Sequence, residues 1–120
     1  MISGKKGALL AILSLTLLLP FKTRAGEAEP RTVTITAKRF EFSPNQITLK
    51  KGEKVKLALI SQDVVHGFYL KPLKIDEIIE PGKTTEITLT PQVAGSFTTI
   101  CDHFCGANHG NMKMTIVVTE

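Results

Sequence analysis

The sequence predicts an all-β domain, a sandwich or a barrel. Three observations predict it. Apolar and polar residues alternate with period two in many short stretches, turn signals punctuate them, and no stretch carries sustained helical periodicity, repeats or low complexity.

Taken in order, Thr32–Ala37 alternates, with Val33 and Ile35 on one face, and Phe40 and Phe42 continue its period. Ser43-Pro44-Asn45 is a turn signal, Ile47 and Leu49 mark the next strand, and Lys50-Lys51-Gly52-Glu53 turns the chain again. Val55, Leu57 and Leu59 alternate with Lys54, Lys56 and Ala58, the pattern of a half-buried strand. Gly67–Leu70 and Ile75–Ile79 read as extended, with Lys71-Pro72 between them, and Pro81-Gly82 is a turn. Thr84–Thr90 is rich in β-branched residues, with Ile87 and Leu89 facing inward. Pro91–Gly95 is a loop, Ser96–Ile100 a strand that ends at Cys101, and Met114–Thr119 the last strand.

The N-terminus has a different character. Lys5 and Lys6 precede an apolar run from Gly7 to Leu19, then Pro20 and a small-residue site at Thr23-Arg24-Ala25. That order is a secretory signal, and the run is shorter than the ~20 apolar residues a spanning helix needs. We therefore expect an export signal over residues 1–25, a short leader over 26–31 and one domain over 32–120, with a periplasmic or secreted product. Membrane contact would come only through an uncleaved N-terminus or a membrane-bound partner. The whole chain has 15 Lys+Arg against 11 Asp+Glu, but Lys5, Lys6, Lys22 and Arg24 lie in the signal and no acid does. The mature chain is then neutral, so the basic balance is no argument for a nucleic-acid partner.

Chemistry concentrates in the segment between the last two strands, Cys101-Asp102-His103-Phe104-Cys105-Gly106-Ala107-Asn108-His109-Gly110-Asn111-Met112. It holds both cysteines, two of the three histidines and a methionine. An exported cysteine pair is ordinarily a disulfide, and that is one reading of Cys101 and Cys105. The other is a metal site. Thiolate, imidazole and thioether together are soft donors of the kind found in electron-transfer copper sites. Zinc has little use for a thioether, and an iron–sulfur cluster needs four cysteines or the two-plus-two Rieske set. Cys105, His109 and Met112 fall within one loop turn, and His66, the remaining histidine, follows a strong strand that brings it to the same end.

Residues 32–120 resemble the cupredoxins, and most closely the soluble copper domain of cytochrome c oxidase subunit II; nitrous oxide reductase has a similar domain. The resemblance is carried by Arg39-Phe40-Glu41-Phe42-Ser43-Pro44, by Asp63-Val64-Val65-His66-Gly67-Phe68, by the pattern Cys101-x3-Cys105-Gly106-x2-His109-x2-Met112, and by Thr115–Val118. It implies an antiparallel Greek-key β-sandwich and a binuclear copper centre, called CuA. Cys101 and Cys105 would bridge two copper ions, His66 and His109 would each cap one, and Met112 would be a weak axial ligand. Position 103 would supply its backbone carbonyl. His103 stands where that family commonly has glutamate, the chain has no tryptophan for a docking cluster, and the long membrane helices of that subunit are missing from the sequence.

The implied function is one-electron transfer with a redox partner such as a c-type cytochrome or an oxidase subunit. Two alternatives stay open. One is a mononuclear copper carrier using His66, Cys105, His109 and Met112 with Cys101 spare; the other is periplasmic copper delivery or storage. Beyond Asp102 no carboxylate or nucleophile–base pair accompanies the loop, so the residues suggest a carrier and not an enzyme by itself, with a terminal oxidase as the enzymatic setting. Asp63 and Asn108 are candidates to hold the ligand loops by hydrogen bonds.

Overall fold

The structure is a computed structural model that describes residues 29–120 together with positions 4, 14 and 16. The expected export signal and the first part of the leader lie outside the described residues. Strands β1 (Arg31–Lys38), β2 (Glu41–Ser43), β3 (Gln46–Lys50), β4 (Val55–Ser61), β5 (His66–Leu70), β6 (Ile75–Ile79), β7 (Thr84–Leu89), β8 (Gly95–Ile100) and β9 (Lys113–Thr119) follow one another. Single 3-10 turns occur at Lys71–Leu73 and His109–Asn111.

The strands form two sheets, in the orders β2-β1-β4-β7 and β3-β9-β8-β5-β6, that make a β-sandwich. The expected architecture is present, but its pairing is mixed. β1 runs parallel to β4 and β3 parallel to β9. The reason is that the chain crosses to the second sheet at β3 and returns to the first at β4, alongside β1 and in the same direction. Two local expectations also change. Phe40 does not continue β1: the chain turns at Arg39 and Phe40, and β2 pairs back antiparallel through Ala37 and Phe42. Ala58, placed on a polar face by its alternation with lysines, is buried; β4 is flanked on both sides, and Thr34 and Glu86 overshadow the small side chain.

The core lies between the sheets and is built from period-two rows, because successive side chains of a strand point to opposite faces. Ile47 and Leu49 of β3, Leu57 and Leu59 of β4, and Met114, Ile116 and Val118 of β9 are all buried. Phe68 of β5 meets Phe42 of β2 edge to face, with centroids 5.6 Å apart and planes at 89°. Such a pair is worth about 0.5–1.5 kcal/mol beyond the area it buries, and here it joins the two sheets.

The rows of the second sheet position the site. On β5 the inward row is His66, Phe68, Leu70, all buried. On β8 it is Phe97 and Thr99, and Cys101 continues it. On β9 it is Val118, Ile116 and Met114, and Met112 extends it backward. These three strands are neighbours, so His66, Cys101 and Met112 are the last members of three adjacent core rows at one end of the sandwich. The Cys101 amide donates to the Met112 carbonyl at 3.2 Å, carrying the β8–β9 ladder one step past its end.

Candidate metal centre

His66, Cys101 and Cys105 are buried, and one donor atom from each lies within 4.8 Å of the others. The two cysteines are free thiols with sulfurs 3.7 Å apart. Met112 Sδ is 3.9 Å from Cys105 Sγ, and the ring atom His66 Nδ1 is 4.0 Å from Cys101 Sγ. Two thiols, an imidazole nitrogen and a thioether thus converge where the core rows end.

His66 is oriented from behind. Its Nε2 is 2.6 Å from Asp63 Oδ1. A proton on Nε2, donated to that carboxylate, leaves the lone pair on Nδ1 facing Cys101, which is the arrangement a metal-binding histidine requires. Asp63 is itself fixed: its Oδ2 accepts from the Arg39 amide at 2.7 Å and its Oδ1 from the Val64 amide at 2.6 Å. Partial burial pushes the Asp63 carboxyl upward, but the hydrogen bonds from Arg39, His66 and Val64 outweigh it and hold the group at about 2. The Asp63 amide donates to Ser61 Oγ, and the Ser61 hydroxyl donates to the Val64 carbonyl, closing the turn that delivers His66.

Cys101 Sγ accepts from the Gly67 amide at 3.3 Å and lies 3.2 Å from the His103 carbonyl oxygen. Glycine is needed at 67 because a Cβ there would come within 2.8 Å of the His103 amide nitrogen and 2.9 Å of that of Asp102. Gly106 has a similar role: its φ is +145° and a Cβ would meet the Phe40 ring at 2.8 Å. Burial, then the hydrogen bond and charge of Cys101, push the Cys105 thiol up to about 11, while the Arg39 cation acts in the opposite direction. Asp102 at the rim is held above its usual value, first by burial and then by the charge of Asp76.

Of the six expected ligands, the structure brings His66, Cys101, Cys105 and Met112 together. The side chain of His103 is exposed, and its carbonyl is the part that approaches sulfur. His109 stands outside the 4.8 Å group, yet its Nδ1 is buried with no hydrogen-bond partner. An unmatched buried nitrogen costs about 1–3 kcal/mol, which ligation would offset. The exposed ring of Phe104 packs against His109, with centroids 5.7 Å apart. Asn108 Oδ1 accepts from Asn111 Nδ2 at 2.7 Å, a local bond across the 3-10 turn. Arg39 was legible only as part of a motif; its contact with the Cys105 carbonyl, 2.7 Å from Nε, leaves no periodic signal.

The donor chemistry fits copper. Two thiols, an imidazole and a thioether are a soft set, and a second imidazole nitrogen waits without a partner nearby.

Comparison with known proteins agrees. The chain is 35% identical over 89 residues to cytochrome c oxidase subunit 2 of Thermus thermophilus, an overlap of 74% of this chain and 66% of that protein. It is 34% identical over 91 residues to the nitrous-oxide reductase of Cupriavidus necator, covering 72% of this chain but 14% of the reductase. The chain thus spans just under two thirds of the first relative and a small part of the second. In fold it matches the periplasmic domain of subunit II of cytochrome oxidase (CoxB) of Bradyrhizobium japonicum, with a TM-score of 0.68 and 20% identity over 75% of this chain and 84% of that one. A family model described as a cupredoxin-like domain matches residues 9–118, and this chain, with its sandwich and its cluster of sulfur and imidazole donors, belongs to that family.

Proposed function

We propose that this protein is an exported one-electron carrier domain with a binuclear, CuA-type copper centre. The observation that carries the reading is the pair of free, buried sulfurs of Cys101 and Cys105, 3.7 Å apart, between His66 Nδ1 and Met112 Sδ. A single-copper site needs one thiolate, whereas here both point to the same place. Cys101 and Cys105 would bridge, His66 and His109 would cap, Met112 would bind weakly, and the carbonyl of His103, not its imidazole, would complete the set. When bound, the two copper ions would supply a redox couple that gains and loses one electron.

The residues of the chain do the rest. The core rows of β5, β8 and β9 hold three donors at the ends of rigid strands, which limits rearrangement between oxidation states. Asp63 sets the tautomer of His66. Burial of the sulfurs keeps water away from the electron-rich centre. Phe104, 74% exposed against His109, supports an apolar contact face for the redox partner at this end. That partner is proposed to be a c-type cytochrome or an oxidase subunit, because the relatives are named as subunits of cytochrome c oxidase. The export signal over residues 1–25 and the leader over 26–31 belong to the same proposal, with a periplasmic or secreted location. A domain starting near residue 32 is supported by β1, which begins at Arg31. No helix among the described residues is long and apolar enough to cross a membrane.

The test is copper stoichiometry together with the paramagnetic resonance spectrum of the loaded chain. Two coppers per chain, with one unpaired electron split by both nuclei, is the expected result. One copper with a single-nucleus pattern would overturn the binuclear assignment in favour of a mononuclear carrier. Copper held only as silent copper(I), with no reversible oxidation, would point to delivery or storage.

A further inference from the structure

The ligands come from two parts of the chain, the turn before β5 and the loop between β8 and β9. Cys101 is tied to the first part directly, through the Gly67 amide. The arm beyond it is not. Among the described residues, the hydrogen bonds made by residues 103–110 stay within the loop, such as His109 amide to Gly106 carbonyl, with one exception. The exception is Arg39 Nε, which donates to the Cys105 carbonyl at 2.7 Å.

Arg39 lies in the β1–β2 turn, in the other sheet, and is the residue whose amide fixes Asp63 at 2.7 Å. One residue therefore holds both halves: its backbone holds the carboxylate that orients His66, and its side chain holds the arm that bears Cys105 and His109. Phe40, next in sequence, lies under Gly106, leaving no room there for a Cβ, so the turn also supports the arm sterically. Arg39 is exposed and buries nothing in the core.

We propose that Arg39 is a positioning residue that clasps the Cys105–His109 arm to the His66 half of the site, so that the donors are gathered before copper arrives. The inference rests on the copper reading given above. A planar guanidinium with a fixed donor direction suits this task, since it holds a carbonyl at a set angle and not merely at a set distance. Groups that hold metal ligands in place typically change metal affinity by about 10- to 100-fold when removed.

The experiment compares wild type with Arg39→Met and Arg39→Lys in the full exported chain. Three quantities are read: the rate at which loaded copper passes to a copper(I) chelator, hydrogen exchange of amides 102–110 in the metal-free chain, and the metal-free melting temperature. Arg39→Met is expected to release copper about 10- to 100-fold faster and to speed exchange of the loop amides, with little change in melting. Arg39→Lys, which keeps a cationic donor, is expected to recover part of the retention.

Release and exchange within twofold of wild type in both variants would overturn the proposal. So would an Arg39→Met chain whose metal-free melting falls in step with its copper loss, since Arg39 would then be an ordinary structural residue. Should Arg39→Met not fold, Arg39→Gln is read on the same release rate and the same exchange. Wild type is the control for the underlying reading: if it takes up no copper, the copper assignment fails, whereas loaded wild type beside unaltered variants sinks the clasp alone.

Discussion

Asp63 Oδ1 lies 2.6 Å from His66 Nε2, so a partly exposed carboxylate grips the back of a fully buried imidazole. Asp63→Asn keeps the shape and removes the charge. The Asp63 carboxyl is held at about 2, below its ordinary 3.8, so its contribution to stability is present above pH 4 and is lost as pH falls from about 4 to 2. The metal-free variant is expected to melt about 4–8 °C lower at pH 7, the scale of ~1 kcal/mol in a domain of this size. Its melting curve should converge with that of wild type near pH 2. A gap that persists unchanged at pH 2 would show that the charge is not the cause.

Cys105 must lose its proton to bind a metal. With its thiol pushed up to about 11, the metal-free chain keeps that proton at neutral pH. Copper must displace it, so retention is expected to strengthen as pH rises, by ~10-fold per unit for each proton released. The same shift acts on the fold in the opposite direction. The metal-free domain should lose stability between about pH 9 and 11, where an unfolded thiol ionises more readily than the folded one. Chelator competition at pH 6, 7 and 8 reads the first effect; flat affinity across that range would contradict it.

Gly67→Ala tests the close approach of the two ligand segments. The added methyl would press on the Asp102 and His103 backbone, which has no flexible end to swing aside. We expect a loss of about 1–3 kcal/mol and a perturbed copper spectrum, because the Cys101 sulfur is held by the amide of the same glycine. A variant with wild-type melting and spectrum would mean that the loop moves aside at no cost.

Thr99→Val should do the reverse. Thr99 is fully buried on β8, and its hydroxyl has no hydrogen-bond partner. Replacing it with a methyl of similar size removes an unmatched polar group, so melting should stay level or rise by up to about 2 kcal/mol in stability, with copper binding unchanged. A drop of more than 1 kcal/mol would indicate that the hydroxyl has a partner in solution, such as an ordered water.

How much of this was legible in the residues varies by kind. The strands were, because a period of two is imposed by the pleat and appears wherever one face is buried: His66, Phe68 and Leu70 show it, as do Met114, Ile116 and Val118. Four of the expected donors, His66, Cys101, Cys105 and Met112, were legible as residue types, and the structure brings their atoms together. Pairing was not. Alternation identifies the inward face of a strand but not its neighbour, so the parallel pairs β1–β4 and β3–β9 had no local signature. Ala58 was misjudged for the same reason, its burial coming from Thr34 and Glu86 in adjacent strands.

By itself, then, the sequence determined that this protein is an all-β domain with a soft-metal loop near its C-terminus, because composition and short-range period are properties of single segments. Only the tertiary structure decided that His66, Cys101 and Met112 end adjacent core rows, that the His103 carbonyl lies 3.2 Å from the Cys101 sulfur while its ring faces solvent, and that Arg39 spans both halves of the site. The Arg39 contacts join residues 24 and 66 positions apart, and long-range contacts of that kind exist only once the two sheets have packed.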